Sequence, residues 1–101
     1  MKLLQITPQI GFKILTRTSR SQVATMVLGP GTSTGGPDNQ HTNSDQWLYV
    51  LSGEGKATVN NKDHELKPGD LLLLEAGDTH EIACTGDSPL ETFNIYAPTA
   101  Y

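Results

Sequence analysis

Apolar residues along this chain come in short runs, many of them alternating with polar ones, and each run stops at a cluster of Gly, Pro, Asn, Asp or Ser. That pattern, period two and frequent turns, predicts strands. Residues 12–17 and 22–28 read as two early strands rich in β-branched side chains, joined by a polar Ser-Arg-Ser turn; Pro30-Gly31 ends the second. Residues 46–52 form the clearest alternation and pair back through Gly53-Glu54-Gly55 onto 55–60, a hairpin. After the Asn60-Asn61-Lys62-Asp63 turn come a short strand at 64–66, the Pro68-Gly69-Asp70 turn, the run Leu71-Leu72-Leu73-Leu74 and the turn at Ala76-Gly77-Asp78. Strands at 79–84 and 90–96 complete the set, and helix signals are nearly absent. The spacing predicts an all-β domain of about eight strands, a sandwich or jelly-roll barrel.

One stretch breaks the rhythm. Residues 29–45 contain no aliphatic side chain and are rich in Gly, Pro, Thr, Ser and Asn. The stretch reads as a long loop, and loops beyond about 12–15 residues in a compact domain are usually functional or disordered. Two side chains able to bind a metal or move a proton lie at or near such irregular segments: His41 within this loop, and His80 just after the Ala76-Gly77-Asp78 turn.

Composition narrows the class. At 101 residues the chain is expected to be one domain, 1–101. Seven Lys and Arg against 11 Asp and Glu give a net charge of −4 with no basic cluster, which argues against nucleic acid. No run approaches the roughly 20 apolar residues of a membrane helix, and the opening Met1-Lys2-Leu3-Leu4-Gln5 is too short for a signal peptide, so a soluble cytoplasmic protein is expected. The lone Cys84 excludes an intrachain disulfide and a cysteine-rich zinc site; with no basic neighbour in sequence it reads as a small buried hydrophobe.

Two segments, 39–53 and 68–80, resemble the two motifs of the cupins. In the first motif two histidines one residue apart precede a glutamate that begins a strand ending in glycine. Gln46 and Gly53 keep that strand spacing, His41 matches the second histidine, Asn39 stands at the first, and Gln46 stands at the glutamate. In the second motif Gly69, Gly77 and His80 keep their spacing, while Glu75 and Cys84 replace a proline and an asparagine. The resemblance implies a double-stranded β-helix and a divalent metal ion, Zn, Fe, Mn or Ni, held by His41 and His80 with Gln46 and Asn39. Two of those four positions carry neutral amides, which weakens the hold on a divalent ion compared with a carboxylate.

If Gln46 and His80 face inward, alternation places Leu48, Val50, Ile82 and Cys84 inside with them, and turns Trp47, Tyr49 and Leu51 outward. An outward stripe of that kind needs a cover, and a homodimer is expected. Asp45, adjacent to Gln46, reaches the inside only if the strand has not begun. Glu75 is open to two readings, a residue at the barrel mouth or an exposed turn residue; His64 is expected in solvent.

Plainer readings stand beside these. His41 could be a loop histidine bonded to nearby Asn and Ser, His80 a residue capping the next strand, and Gln46 a structural amide tying down the loop. Two functions follow: a metalloenzyme of dioxygenase, isomerase or decarboxylase type, or a non-catalytic protein that binds or senses a sugar or organic acid without metal. In both, the ligand is a small molecule in a deep pocket open near the 29–45 loop.

Overall fold

In the computed structural model, which describes residues 1–36 and 40–101, the alternating runs become eight strands. They are β1 (Gly11–Arg17), β2 (Gln22–Leu28), β3 (Asp45–Ser52), β4 (Gly55–Val59), β5 (Lys62–Leu66), β6 (Leu71–Leu74), β7 (His80–Cys84) and β8 (Leu90–Ala97). Among the described residues no helix forms, and so none is long and apolar enough to cross a membrane. The strands make two antiparallel sheets, one ordered β1-β2-β8-β3-β6 and the other β5-β4-β7. From β3 onward the chain passes repeatedly between them, the winding of a double-stranded β-helix.

The core lies between the sheets because both turn their apolar parity inward. Met26, Leu48, Val50 and Leu90 from the large sheet meet Ala57, Leu66, Ile82 and Cys84 from the small one, all buried. Strand β3 follows the expected alternation, with Gln46, Leu48 and Val50 buried and Trp47, Tyr49 and Leu51 about 40% exposed. The β4–β5 hairpin turns at Asn60 and Asn61, with φ of 49° and 65°, the left-handed values that a two-residue turn requires and asparagine tolerates. Gly53 ends β3 at φ +85° with its backbone against Pro89 and Leu90, a place with no room for a side chain.

The 29–45 stretch departs from a pure loop. Ser33 bridges to Ala83, Thr34 N donates to Ile82 O at 2.9 Å, and Cys84 N donates to Thr32 O at 2.9 Å. Threonine and serine thus satisfy the free edge of β7 without any aliphatic residue. At the other end of the chain, Pro98 to Tyr101 fold back over β2 as a strap. Gln22, 1% exposed, ties it: its Nε2 donates to Tyr101 O at 2.8 Å, and its Oε1 accepts from Ala100 N at 3.2 Å and Tyr101 N at 3.0 Å.

Candidate functional site

A cavity of about 410 Å³ opens between the sheets beside the loop that carries His41. Its apolar lining comes from Phe12, Met26 and Ile82, and its polar lining from Thr34, Gln40, His41, Gln46, His80, Tyr96 and Tyr101. Among the described lining residues there is no Asp, Glu, Lys or Arg.

Three of the four residues expected to converge do so; Asn39 lies outside the described residues. His41 is placed by its backbone, whose carbonyl accepts from Gly77 N at 2.8 Å, so the loop is pinned to the β6–β7 turn. Its ring centroid is 5.3 Å from that of His80, which begins β7 and is buried. His80 Nδ1 lies 3.2 Å from Asp78 O. A carbonyl only accepts, so this contact assigns a proton to Nδ1 and leaves Nε2 as the ring nitrogen turned away from that backbone. Gln46, from β3, is 3% exposed, and its Nε2 donates to Asn94 Oδ1 at 3.0 Å. Its Oε1 is buried with no hydrogen-bond partner.

Burial holds the His41 pKa below the ordinary imidazole value, and neighbouring His80 lowers it further, against an opposing pull from the Gln46 amide. His41 is therefore neutral near pH 7, a lone-pair donor. The two tyrosines shift the other way: burial, reinforced by Tyr101, raises Tyr96, and burial raises Tyr101 against a hydrogen bond from Tyr96. Both stay protonated, and their rings stand edge-on to His41 at 5.4 Å.

The donor set fits a divalent cation of modest charge demand: two imidazole nitrogens and one orphaned, buried amide oxygen. Among the described residues no three His, Cys, Asp or Glu gather, so a metal here depends on Gln46. Asp45 is excluded from the cavity; it is exposed, and its Oδ1 accepts from Ala76 N at 2.9 Å. Glu75 is an exposed turn residue, and His64 is exposed on β5. Cys84 is buried, its Sγ 3.3 Å from Ser88 O.

Sequence reading missed Tyr101, Tyr96 and Asn94. Tyr96 and Asn94 share one parity of β8 with Thr92, a readable signal once β8 is paired with β3. Nothing in the sequence announces Tyr101, which reaches His41 because Gln22 and Arg17 fasten the strap.

Comparison with known proteins gives a consistent family. The profile of the Cupin domain family matches residues 24–96. An oxalate-binding protein of Thermotoga maritima is 38% identical over 68 residues, 67% of this chain and 54% of its own length. A crystal structure of a Bacillus halodurans protein superposes with a TM-score of 0.87 at 26% identity, covering 93% of this chain and 74% of that one. The structure of a predicted oxalate decarboxylase from Thermotoga maritima gives 0.73 at 32% identity, covering 80% and 69%. The chain spans about half the length of the curated relatives it matches.

Proposed function

The chain belongs to the cupin domain family, and on that premise we propose that its cavity binds one divalent metal ion through His41, His80 and Gln46 and takes a small organic acid beside it. The observation that carries this reading is Gln46 Oε1, a buried acceptor with no hydrogen-bond partner, on the wall of a cavity that it shares with both imidazoles. Leaving such a group unsatisfied costs about 1–3 kcal/mol, a penalty that a bound cation removes. When bound, the ion supplies Lewis acidity toward an oxygen of the ligand. His41 and His80 hold it, Gln46 completes the set, and Phe12, Met26 and Ile82 give the ligand an apolar wall that limits water. Small-acid chemistry is supported by the likeness to the oxalate-binding protein and by a lining free of carboxylates among the described residues.

The test is elemental mass spectrometry on untagged protein purified without chelators, with His41→Ala/His80→Ala and a His64→Ala control, each titrated with oxalate by calorimetry. Near-stoichiometric Zn, Fe, Mn or Ni in the wild type and the control, lost together with oxalate affinity in the double variant, is the expected result. Equal metal loss in the His64 control would overturn the assignment. A second reading, a metal-free binder, is favoured by the neutral donor set; it predicts ligand affinity that survives chelator treatment.

The outer face of the large sheet supports self-association. Trp47 is the cross-strand neighbour of Leu73 and Ile95, and Tyr49 of Leu71 and the half-buried Phe93, so apolar side chains from three strands form one patch, exposed at all of these but Phe93. The segment before β1 adds exposed Leu3, Leu4 and Ile6 outside any strand. A second copy of the chain is the occupant that covers both, giving a homodimer.

A further inference from the structure

Gln46 offers the cavity an oxygen and not its NH2 group, and the cause lies in the buried polar side chains behind it. Met26 O can only accept, so Thr92 Oγ1 donates to it across 2.8 Å. With its hydrogen committed, Thr92 Oγ1 accepts from Asn94 Nδ2 at 3.0 Å. That turns Asn94 Oδ1 toward Gln46, where it accepts from Nε2 at 3.0 Å, and Gln46 Oε1 is left without a partner. Reversing Gln46 alone would oppose two amide oxygens with no hydrogen between them. Reversing both amides would set Asn94 Oδ1 against a hydroxyl whose hydrogen belongs to Met26. Thr92 and Asn94 are fully buried and Gln46 is 3% exposed, so water is poorly placed to repair either mismatch.

We propose that Thr92 and Asn94 are positioning residues: the one-way relay Met26–Thr92–Asn94–Gln46 fixes an acceptor toward the cavity, so the occupant at that point is a cation or a hydrogen-bond donor and never a bare carboxylate oxygen. The identity of the occupant as a metal ion rests on the reading above, whereas the orientation of Gln46 does not. A carboxylate ligand therefore engages this site through a cation, or through its own proton, and not by direct contact with Gln46.

Two measurements separate the relay from the metal. In metal-free, isotope-labelled wild type, nuclear Overhauser contacts of the Gln46 side-chain NH2 should run to Asn94 and be absent to the His41 and His80 ring protons. Co²⁺ alone is then titrated into wild type, Thr92→Val and Thr92→Ser, each checked for a cooperative thermal transition. Thr92→Val keeps shape but lets Asn94 and Gln46 reverse; its Co²⁺ affinity should fall about 10–100-fold, the usual effect of removing a group that orients a ligand, while Thr92→Ser stays close to wild type. Contacts from the Gln46 NH2 to the histidine rings would overturn the proposal whatever happens to Thr92→Val, including failure to fold. So would a folded Thr92→Val that binds Co²⁺ as wild type does. A wild type that takes up no Co²⁺ but shows the Asn94 contacts upholds the orientation and refutes the metal reading.

Discussion

Replacing Gln22 by Met tests whether one buried side chain fastens the strap that closes the cavity. Methionine keeps the length and approximate volume of glutamine, so the change removes three hydrogen bonds, to Tyr101 O, Ala100 N and Tyr101 N, without opening a large void. At a net ~0.5–1.5 kcal/mol each, those bonds total roughly 1.5–4.5 kcal/mol. The upper end is not reached, because Tyr101 is 53% exposed, so water can replace part of what is lost, and Arg17 Nη1 still donates to Tyr101 O at 3.0 Å. A loss of about 1–2 kcal/mol follows, and at ~4–8 °C per kcal/mol for a domain of this size the thermal midpoint drops by roughly 4–16 °C. Urea and thermal unfolding followed by circular dichroism give the global change. Hydrogen exchange at the Ala100 and Tyr101 amides reports the strap itself, and both should lose protection. As Tyr101 leaves its half-buried site, its phenol should titrate at lower pH, closer to the ordinary value. A stability change within about 0.5 kcal/mol, the range of ordinary surface substitutions, with unchanged amide protection would refute this account of the latch.

Because folding lowers the His41 pKa below its unfolded value of about 6.5, the unfolded chain binds more protons in that range; the contribution is full above about pH 6.5 and is lost as pH falls through the folded value. Urea midpoints should therefore decline less steeply between about pH 7 and 5 in His41→Leu than in wild type. Gly53→Ala places a methyl group against Pro89 O and 2.9 Å from Leu90 Cα at φ +85°, and should cost more than about 2 kcal/mol in urea unfolding. Gly36→Ala, with nothing within 4 Å, should stay within about 0.5 kcal/mol. Trp47→Glu/Leu73→Glu should convert a dimer to monomer in light scattering after size exclusion; a wild type already monomeric at micromolar concentration would refute the dimer.

Much of the barrel was legible because β3, β4 and β7 obey simple alternation, and the glycine and proline turns fall between them. The pairing of His41 with His80 was legible only through motif spacing, since the two lie far apart in the chain and meet through the tie between His41 O and Gly77 N. Strand β8 shows why the rest was hidden. Its polar Thr92 and Asn94 are fully buried while Ile95 is 37% exposed, the reverse of the usual rule that apolar side chains go in and polar ones out. With Leu90 and Tyr96 on the same inward parity and Glu91 on the other, composition alone leaves the orientation of that strand open. The edge pairing by Thr32 to Thr34 was hidden for a related reason: strand propensity reflects packing, and an edge bridge made by threonine and serine needs little. Gln22 and Tyr101 are 79 residues apart and carry no motif, so only the folded strap brings them together.

Strand β8 also bears on how this chain can change over generations. One parity of β8 holds the relay behind Gln46, and the other supplies the apolar patch with Trp47 and Tyr49, so the strand has no indifferent side. A single-residue insertion or deletion within it would exchange the two sets, placing Phe93 and Ile95 behind the cavity and Asn94 on the outer face. Lineages of this barrel should therefore change β8 only by substitutions that suit both of its neighbours at once.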